Sequence, residues 1–331
     1  MSSTRSDIWQ TSRWLRLYDW DWESDRPTTM TADAAQLRAR ILPRRFYYHP
    51  LQVMSPCVAE DSTDTLHLRY AETTELAQVV LNAGRQPRCI AGLIDVAHAA
   101  SKVTRGAILS AIQSLIRAGM IVAAADPEPI DPAAVFAAAR ALYGCFQHPG
   151  EITAAIAFVH GVRPKTVLEI GTAWGGSLFC WAQAADPEAA LISLDLPGGV
   201  GGRGHSPAFM QHFQRFCFEG QTLLGLSGDS HEPSMLAETR KALSDRPVDF
   251  LFIDGDHSYA GVRADFESYS PLVAAGGVVM FHDTHSSGSP DIEQPNEVIA
   301  FWNEVKGDYR HQEFVGGPGG DAVGIGALFL D

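Results

Sequence analysis

From residue 166 onward, short apolar runs recur and each breaks on an acidic, glycine or histidine residue. The runs are TVLEI (Thr166 to Ile170), ALISLD ending on Asp195, TLLGLSGD ending on Asp229, DFLFI (Asp249 to Ile253) and GVVMF (Gly277 to Phe281). Nearly continuous apolar, β-prone runs of this length read as strands buried on both faces, the signature of a parallel sheet. The segments between them predict helices, including one beginning near Ser177, so the order is a βαβ series. Upstream, the pattern predicts helices over 133–146 and 151–160. Downstream, VIAFWNEV predicts a helix, followed by two strands joined by a glycine-rich turn, the last being GIGALFL.

The first 130 residues are patterned differently. Four of the seven tryptophans (Trp9, Trp14, Trp20, Trp22) fall within residues 1–30, among Arg13, Arg16, Asp19, Asp21 and Asp25. Disordered tails avoid aromatics, so this segment is expected to dock on its own chain or on a partner. Thr31 as cap, with Ala34, Leu37 and Ile41 at helical spacing, predicts a short helix over 31–45. YYHPLQVM and LHLRY read as strands flanking the turn EDSTDT, and three helices follow over 72–119. The last of these carries Ile108, Ile112, Leu115 and Ile116 on one face, Gly119 at its end, and MIVAA as a returning strand. This layout resembles a winged-helix domain. Its third helix and approach hold only Lys102, Arg105 and Arg117 as cations, so dimerisation or holding a peptide is the expected use rather than DNA binding. The proline-rich DPEPIDP forms a linker. The expected domains are an aromatic-rich docking segment (1–45), a winged-helix-like accessory domain (46–125) and the βαβ domain (133–331).

Composition narrows the function. A formal net charge of -14 over 331 residues opposes nonspecific binding to nucleic acid or to an anionic membrane surface. Five scattered cysteines without a CxxC pair suggest reduced thiols in a cytoplasmic protein. No apolar run reaches membrane-spanning length, and the N-terminus lacks a signal-peptide core.

Candidate chemistry sits at the strand ends. In open α/β sheets ligands bind beyond the carboxyl ends of the strands, and a glycine turn opening a helix presents backbone N–H groups to them. Glu169, Gly171, Thr172, Trp174 and Gly175 lie in such a turn, and Asp195 ends the next strand, where a carboxylate can accept a ribose diol. Asp229, in Gly228-Asp229-Ser230, is then placed near an adenine edge. These features alone fit an NAD enzyme as well as an S-adenosylmethionine enzyme. Asp254, Asp256 and His257 follow one of the later strands, and His282 and Asp283 the other.

The motifs EIGTAWGGS, DLPGGVGG, GDSHEP, FIDGDHSYAGVRADFESYSPLVAAGG and FHDTH, in this order, resemble the class I S-adenosylmethionine-dependent methyltransferases. The resemblance covers about half the chain. It implies an α/β, Rossmann-like sheet of seven strands, mostly parallel with the last antiparallel, beside the smaller winged-helix-like α+β domain. Carried over, it makes Gly171, Thr172, Trp174 and Gly175 a cradle for methionine and ribose, Asp195 the diol ligand, and Asp229 with Ser230 the adenine contacts. Some related O-methyltransferases bind Mg²⁺ through acids at positions matched here by Asp254 and Asp283. His282 stands where such a set has a carboxylate, and imidazole suits Mn²⁺, Fe²⁺ or Zn²⁺ better than Mg²⁺. His285 and Asp291 could add ligands. His257 or Asp256 is the expected general base. The loop from Pro197 to His205 reads as a lid, since no phosphate-loop lysine follows. The expected protein is a homodimeric methyltransferase acting on an oxygen or nitrogen of a small natural product or peptide. Metal-dependent hydroxylation on the same scaffold, as in the similar cephalosporin hydroxylases, and a non-catalytic peptide- or DNA-binding module are the alternatives.

Overall fold

The computed structural model describes residues 8–11, 16–18, 46–54, 67–72, 75–84, 88–117, 121–123, 130–143, 145–198, 205, 210, 213–214, 217–218, 220–285, 297–316 and 323–331. Trp14, Trp20 and Trp22, the helix expected over 31–45, Gly119, Asp291 and most of the lid lie outside them. The chain divides into two units, Met1–Ala138 and Ala139–Asp331.

In the first unit, β1 (Ile8–Thr11) is the central strand of a three-stranded sheet. Its antiparallel partners are β5 (Arg88–Cys89) and β6 (Ile121–Ala123), with Trp9 opposite both Arg88 and Ala123. Of the tryptophan-rich segment, the described residues Ile8–Thr11 pair with strands of the same unit. A second three-stranded sheet joins β2 (Arg16–Tyr18), β3 (Phe46–Met54) and β4 (His67–Glu72). Three helices, α1 (Glu75–Ala83), α2 (Ile90–Ser101) and α3 (Arg105–Arg117), bury Val80, Leu93, Ile108 and Ile112 in a common core. Helix α4 (Pro132–Tyr143) starts where the linker prolines end. Pro132 supplies the fixed φ of a first helical turn, and Asp131 Oδ1 accepts the Ala133 and Ala134 N–H groups at 3.1 and 3.2 Å.

The second unit is built on seven strands: β7 (Thr166–Ile170), β8 (Ala190–Asp195), β9 (Thr222–Ser227), β10 (Val248–Ile253), β11 (Val273–His282), β12 (Arg310–Phe314) and β13 (Ile325–Phe329). Their order across the sheet is β12-β13-β11-β10-β7-β8-β9. Strands β7 to β11 are parallel, and β13 runs antiparallel to both its neighbours, as the motifs implied. β11 begins at Val273 rather than at Gly277, because its pairing with β10 absorbs the Gly276–Gly277 step as a register shift instead of breaking. Helices α5 (Pro149–Val162), α6 (Gly176–Ala184), α7 (Pro233–Leu243), α8 (Tyr259–Tyr269) and α9 (Val298–Val305) cover the sheet. Trp181 of α6 packs on Phe250 and Phe252 with ring centroids 5.2 and 4.9 Å apart, and a cluster including Phe266, Phe281, Phe301 and Trp302 forms a further aromatic core.

The chain builds outward from β7 to β8 and β9, then returns to place β10 on the other side of β7. That reversal opens a crevice at the carboxyl ends of β7 and β10. Among the described residues, no helix is long and apolar enough to cross a membrane.

Candidate active site

Three strand ends are drawn together at this crevice. The Gly171 N–H donates to Leu194 O at 2.9 Å and the Asp254 N–H to Ile170 O at 2.8 Å. Gly171 has φ +85°, and a Cβ there would lie 2.0 Å from Asp254 O. Gly176 is equally constrained, since a Cβ would meet Cys145 Cα at 2.5 Å. These glycines serve first to let backbone approach backbone, which sets the strand ends close enough to share one cleft. Gly175, at φ +85°, caps α6 without a side chain.

The cleft has a volume of about 800 Å³. Gly171, Thr172, Trp174, Asp195, Asp229, Ser230, Asp254, Asp256, His257 and His282 line it. Of the sequence-predicted residues, Glu169, Gly175 and Asp283 do not line it. Glu169 is fully buried beneath the turn, where its Oε1 accepts from the Ser177 hydroxyl at 2.8 Å and burial pushes its carboxyl well above the usual range. Asp195 accepts the Ala173 N–H at 3.0 Å and the Leu196 N–H at 2.8 Å, so it fixes the glycine turn while facing the cleft. Burial raises its pKa. Thr172 points its hydroxyl inward, against Ser193 and 3.2 Å from His205 Nε2. His205, which ends the expected lid, also lies 2.9 Å from Ser193 Oγ and bonds Leu226 O at 3.0 Å, so this end of the loop is pinned to β8 and β9. Asp229 is half exposed and accepts the His231 N–H at 2.9 Å; Ser230 offers its carbonyl to Tyr269.

At the ends of β10 and β11 carboxylates and imidazoles alternate. His257 Nδ1 lies 3.0 Å from Asp283 Oδ2 and its Nε2 3.4 Å from Asp254 Oδ1. His282, buried, faces Asp254 Oδ1 and Asp283 Oδ1 through Nδ1 at 3.2 and 3.3 Å, and Glu151 through Nε2 at 3.3 Å. Burial would raise Asp254, but His282 and His257 outweigh it and hold the carboxyl well below its ordinary value. The hydrogen bond to Asp254 raises His257. Burial opposes the charged form of His282, yet Asp254 and Glu151 drive its pKa well up. Asp283, at φ +61°, is raised by burial. Asp256 stands apart from this network: its Oδ1 accepts the Ser258 N–H at 2.8 Å at the start of α8.

Two contributors were not singled out in the sequence. Gln147 donates from Nε2 to Asp254 Oδ2 at 2.9 Å and accepts the Cys145 thiol at 3.0 Å. Glu151, wholly buried at the first turn of α5, accepts the His148 N–H at 2.8 Å and the Gly324 N–H at 2.7 Å besides facing His282. Among the described residues, the set able to hold a metal ion is Asp254, His257 and Asp283, whose ligand atoms lie within 4.8 Å of one another. His257 thus stands with Asp254 and Asp283 beside the expected His282, whose Nδ1 faces the same two carboxylates.

Residues 168–284 match the family model described as a methyltransferase domain. An uncharacterised protein of Sinorhizobium fredii is 31% identical over 134 residues, 38% of this chain and 14% of that protein. A rhamnosyl O-methyltransferase of Mycobacterium leprae is 26% identical over 159 residues, 45% of this chain and 64% of that enzyme. The chain thus spans less than two thirds of the curated relatives it matches. The O-methyltransferase TomG of Streptomyces achromogenes, solved with S-adenosylmethionine, is similar at 17% identity with a TM-score of 0.41 over 62% of this chain and 92% of that one. The family match falls on the strands that build the cleft, so residues 168–284 of this chain are similar to methyltransferase domains over that stretch.

Proposed function

We propose that the second unit binds S-adenosylmethionine and methylates a hydroxyl oxygen of an acceptor that enters beside Asp254 and His257. The observation that supports this most is the continuity of one cleft from the Gly171 turn and Asp195 to the acid and imidazole cluster. S-adenosylmethionine, when bound, supplies an electrophilic methyl group on a sulfonium. Asp195 keeps free lone pairs on oxygens already oriented by the Ala173 and Leu196 N–H groups, which suits it to a ribose diol. Asp229, steadied by the His231 N–H, is available to the exocyclic amine of adenine. Trp174 and Leu196 supply apolar surface in the same cleft.

Proton removal falls to His257. Its Nδ1, 3.0 Å from Asp283, carries the ring N–H, and its Nε2, held by Asp254 at the longer 3.4 Å, exchanges that contact for the acceptor's proton when no ion is held there. Asp256, committed to the turn that opens α8, acts on the rim. The two carboxylates and one imidazole fit Mn²⁺, Fe²⁺ or Zn²⁺ better than Mg²⁺; Asp254, His257 and Asp283 would hold the ion, which would acidify a hydroxyl bound to it. The acceptor class we infer is a small molecule or a peptide, in a cytoplasmic protein, with the first unit as a winged-helix-like element for dimerisation or substrate holding.

The test is calorimetry with S-adenosylhomocysteine. The full chain should bind it, and Asp195→Ala should weaken binding at least about tenfold, because hydrogen bonds to a charged group are worth about 1.5–3 kcal/mol each. A wild-type protein that binds neither S-adenosylhomocysteine nor S-adenosylmethionine would sink the proposal.

A further inference from the structure

A second hollow, of about 460 Å³, adjoins the cleft, and its walls include Arg140, Phe146, Gln147 and His148. Cys145, Phe146 and Gln147 belong to the walls of both spaces. Of these, Gln147 is held at both ends of its amide, by the Cys145 thiol and by Asp254. A molecule in the hollow that extends past this shared wall therefore enters the cleft beside Asp254.

Two features of the walls point to a ligand. Phe146 is 72% exposed, although it stands at the junction of the two spaces with its ring edge-on to Trp174 at a centroid distance of 6.2 Å. A ring laid against it would bury apolar surface that the chain itself leaves in water. Arg140 is exposed in the last turn of α4, and among the described residues no carboxylate pairs with it. No described residue lining the hollow is acidic, in a chain whose net charge is -14. The N-terminal end of the fourteen-residue α5 also opens here at Pro149, already met by the Glu151 carboxylate and the His148 ring, so the charge that the hollow presents is that of Arg140. A cationic hollow beside an acidic cluster sorts a ligand by charge along its length.

We propose that this hollow is the acceptor subsite and that it takes a ring-bearing acceptor carrying an anionic group, a carboxylate or a phosphate. The ring lies on Phe146 and the anion meets the Arg140 guanidinium, which presents a planar fork suited to either oxyanion. This assignment rests on the methyltransferase reading for the role of the hollow, but its ligand chemistry can be tested without it.

The probes are phenyl phosphate, phenol and inorganic phosphate, titrated by calorimetry into the full chain with and without saturating S-adenosylhomocysteine. Phenyl phosphate should bind at least tenfold more tightly than either fragment. Arg140→Ala should bring its affinity down to that of phenol, with Arg140→Lys intermediate, and Phe146→Ala should bring it down to that of inorganic phosphate. Arg140→Ala should leave the affinity for S-adenosylhomocysteine unchanged, which separates the subsite from a general loss of fold. Undiminished binding of phenyl phosphate by Arg140→Ala, or no binding by the wild type, overturns the proposal. Failure of S-adenosylhomocysteine alone to bind strikes the methyltransferase reading, because the titration without it still reports on the hollow.

Discussion

Two imidazoles stand among the carboxylates at the ends of β10 and β11, and their surroundings divide the work between them. His282 is enclosed by Glu151, Asp254 and Asp283, with both ring nitrogens facing carboxylates. His257 is 39% exposed and reaches the cleft. Removing His282 would strand Glu151 and Asp254 in a poorly solvated site, so His282→Ala is expected to cost about 3–5 kcal/mol in urea unfolding. His257→Ala should change stability little and instead weaken Mn²⁺ binding, measured by electron paramagnetic resonance, at least about tenfold. Normal Mn²⁺ affinity in a folded His257→Ala protein, together with its loss in His282→Ala, would return the ligand set to Asp254, His282 and Asp283. The sequence exposed the acids and both histidines, since they end apolar runs. It could not show Glu151 or Gln147, which lie 131 and 107 residues from His282 and Asp254 and meet them only through tertiary packing.

At the scale of the element, α8 carries its own tension. Ser258 caps it by accepting the Gly261 N–H, and its buried face holds Val262, Asp265, Phe266 and Tyr269. An aspartate on that face is costly: burial raises Asp265 to about 6, with His231 Nε2 3.5 Å away as partial compensation. The folded state therefore holds a proton that the unfolded chain releases near its ordinary value, and stability falls as pH rises between about 4 and about 6. Asp265→Asn should be more stable than the wild type at pH 7, by on the order of 2 kcal/mol, with the gain vanishing below about pH 4. Urea unfolding at both pH values checks this, and an equal difference at pH 4 and pH 7 would remove burial as the cause. The strands were easier to anticipate. β7 is buried at every position and β10 at all but Asp249, so unbroken apolar runs marked them, whereas a single buried acid on a helix leaves no such trace.

Across the whole molecule, legibility follows local pattern. The second unit announces itself through unbroken apolar runs and the motifs that end them, even where β7 and β10 pair 83 residues apart. In the first, β1 pairs with β5 and β6 about 80 and 110 residues later, a link that no local pattern carries. Each unit nonetheless has its own core, one around Val80, Leu93 and Ile112, the other around the sheet residues Leu168, Leu251 and Phe281. Two separate cores predict two transitions in differential scanning calorimetry. S-adenosylhomocysteine contacts only the second unit in the proposed site, so at a hundredfold excess over Kd it should stabilise that unit by about 2.7 kcal/mol. For a unit of this size that moves one transition up by roughly 5–10 °C and leaves the other in place. A single transition that shifts as a whole would mean that the chain unfolds as one cooperative body, and that the first unit bears directly on cofactor binding.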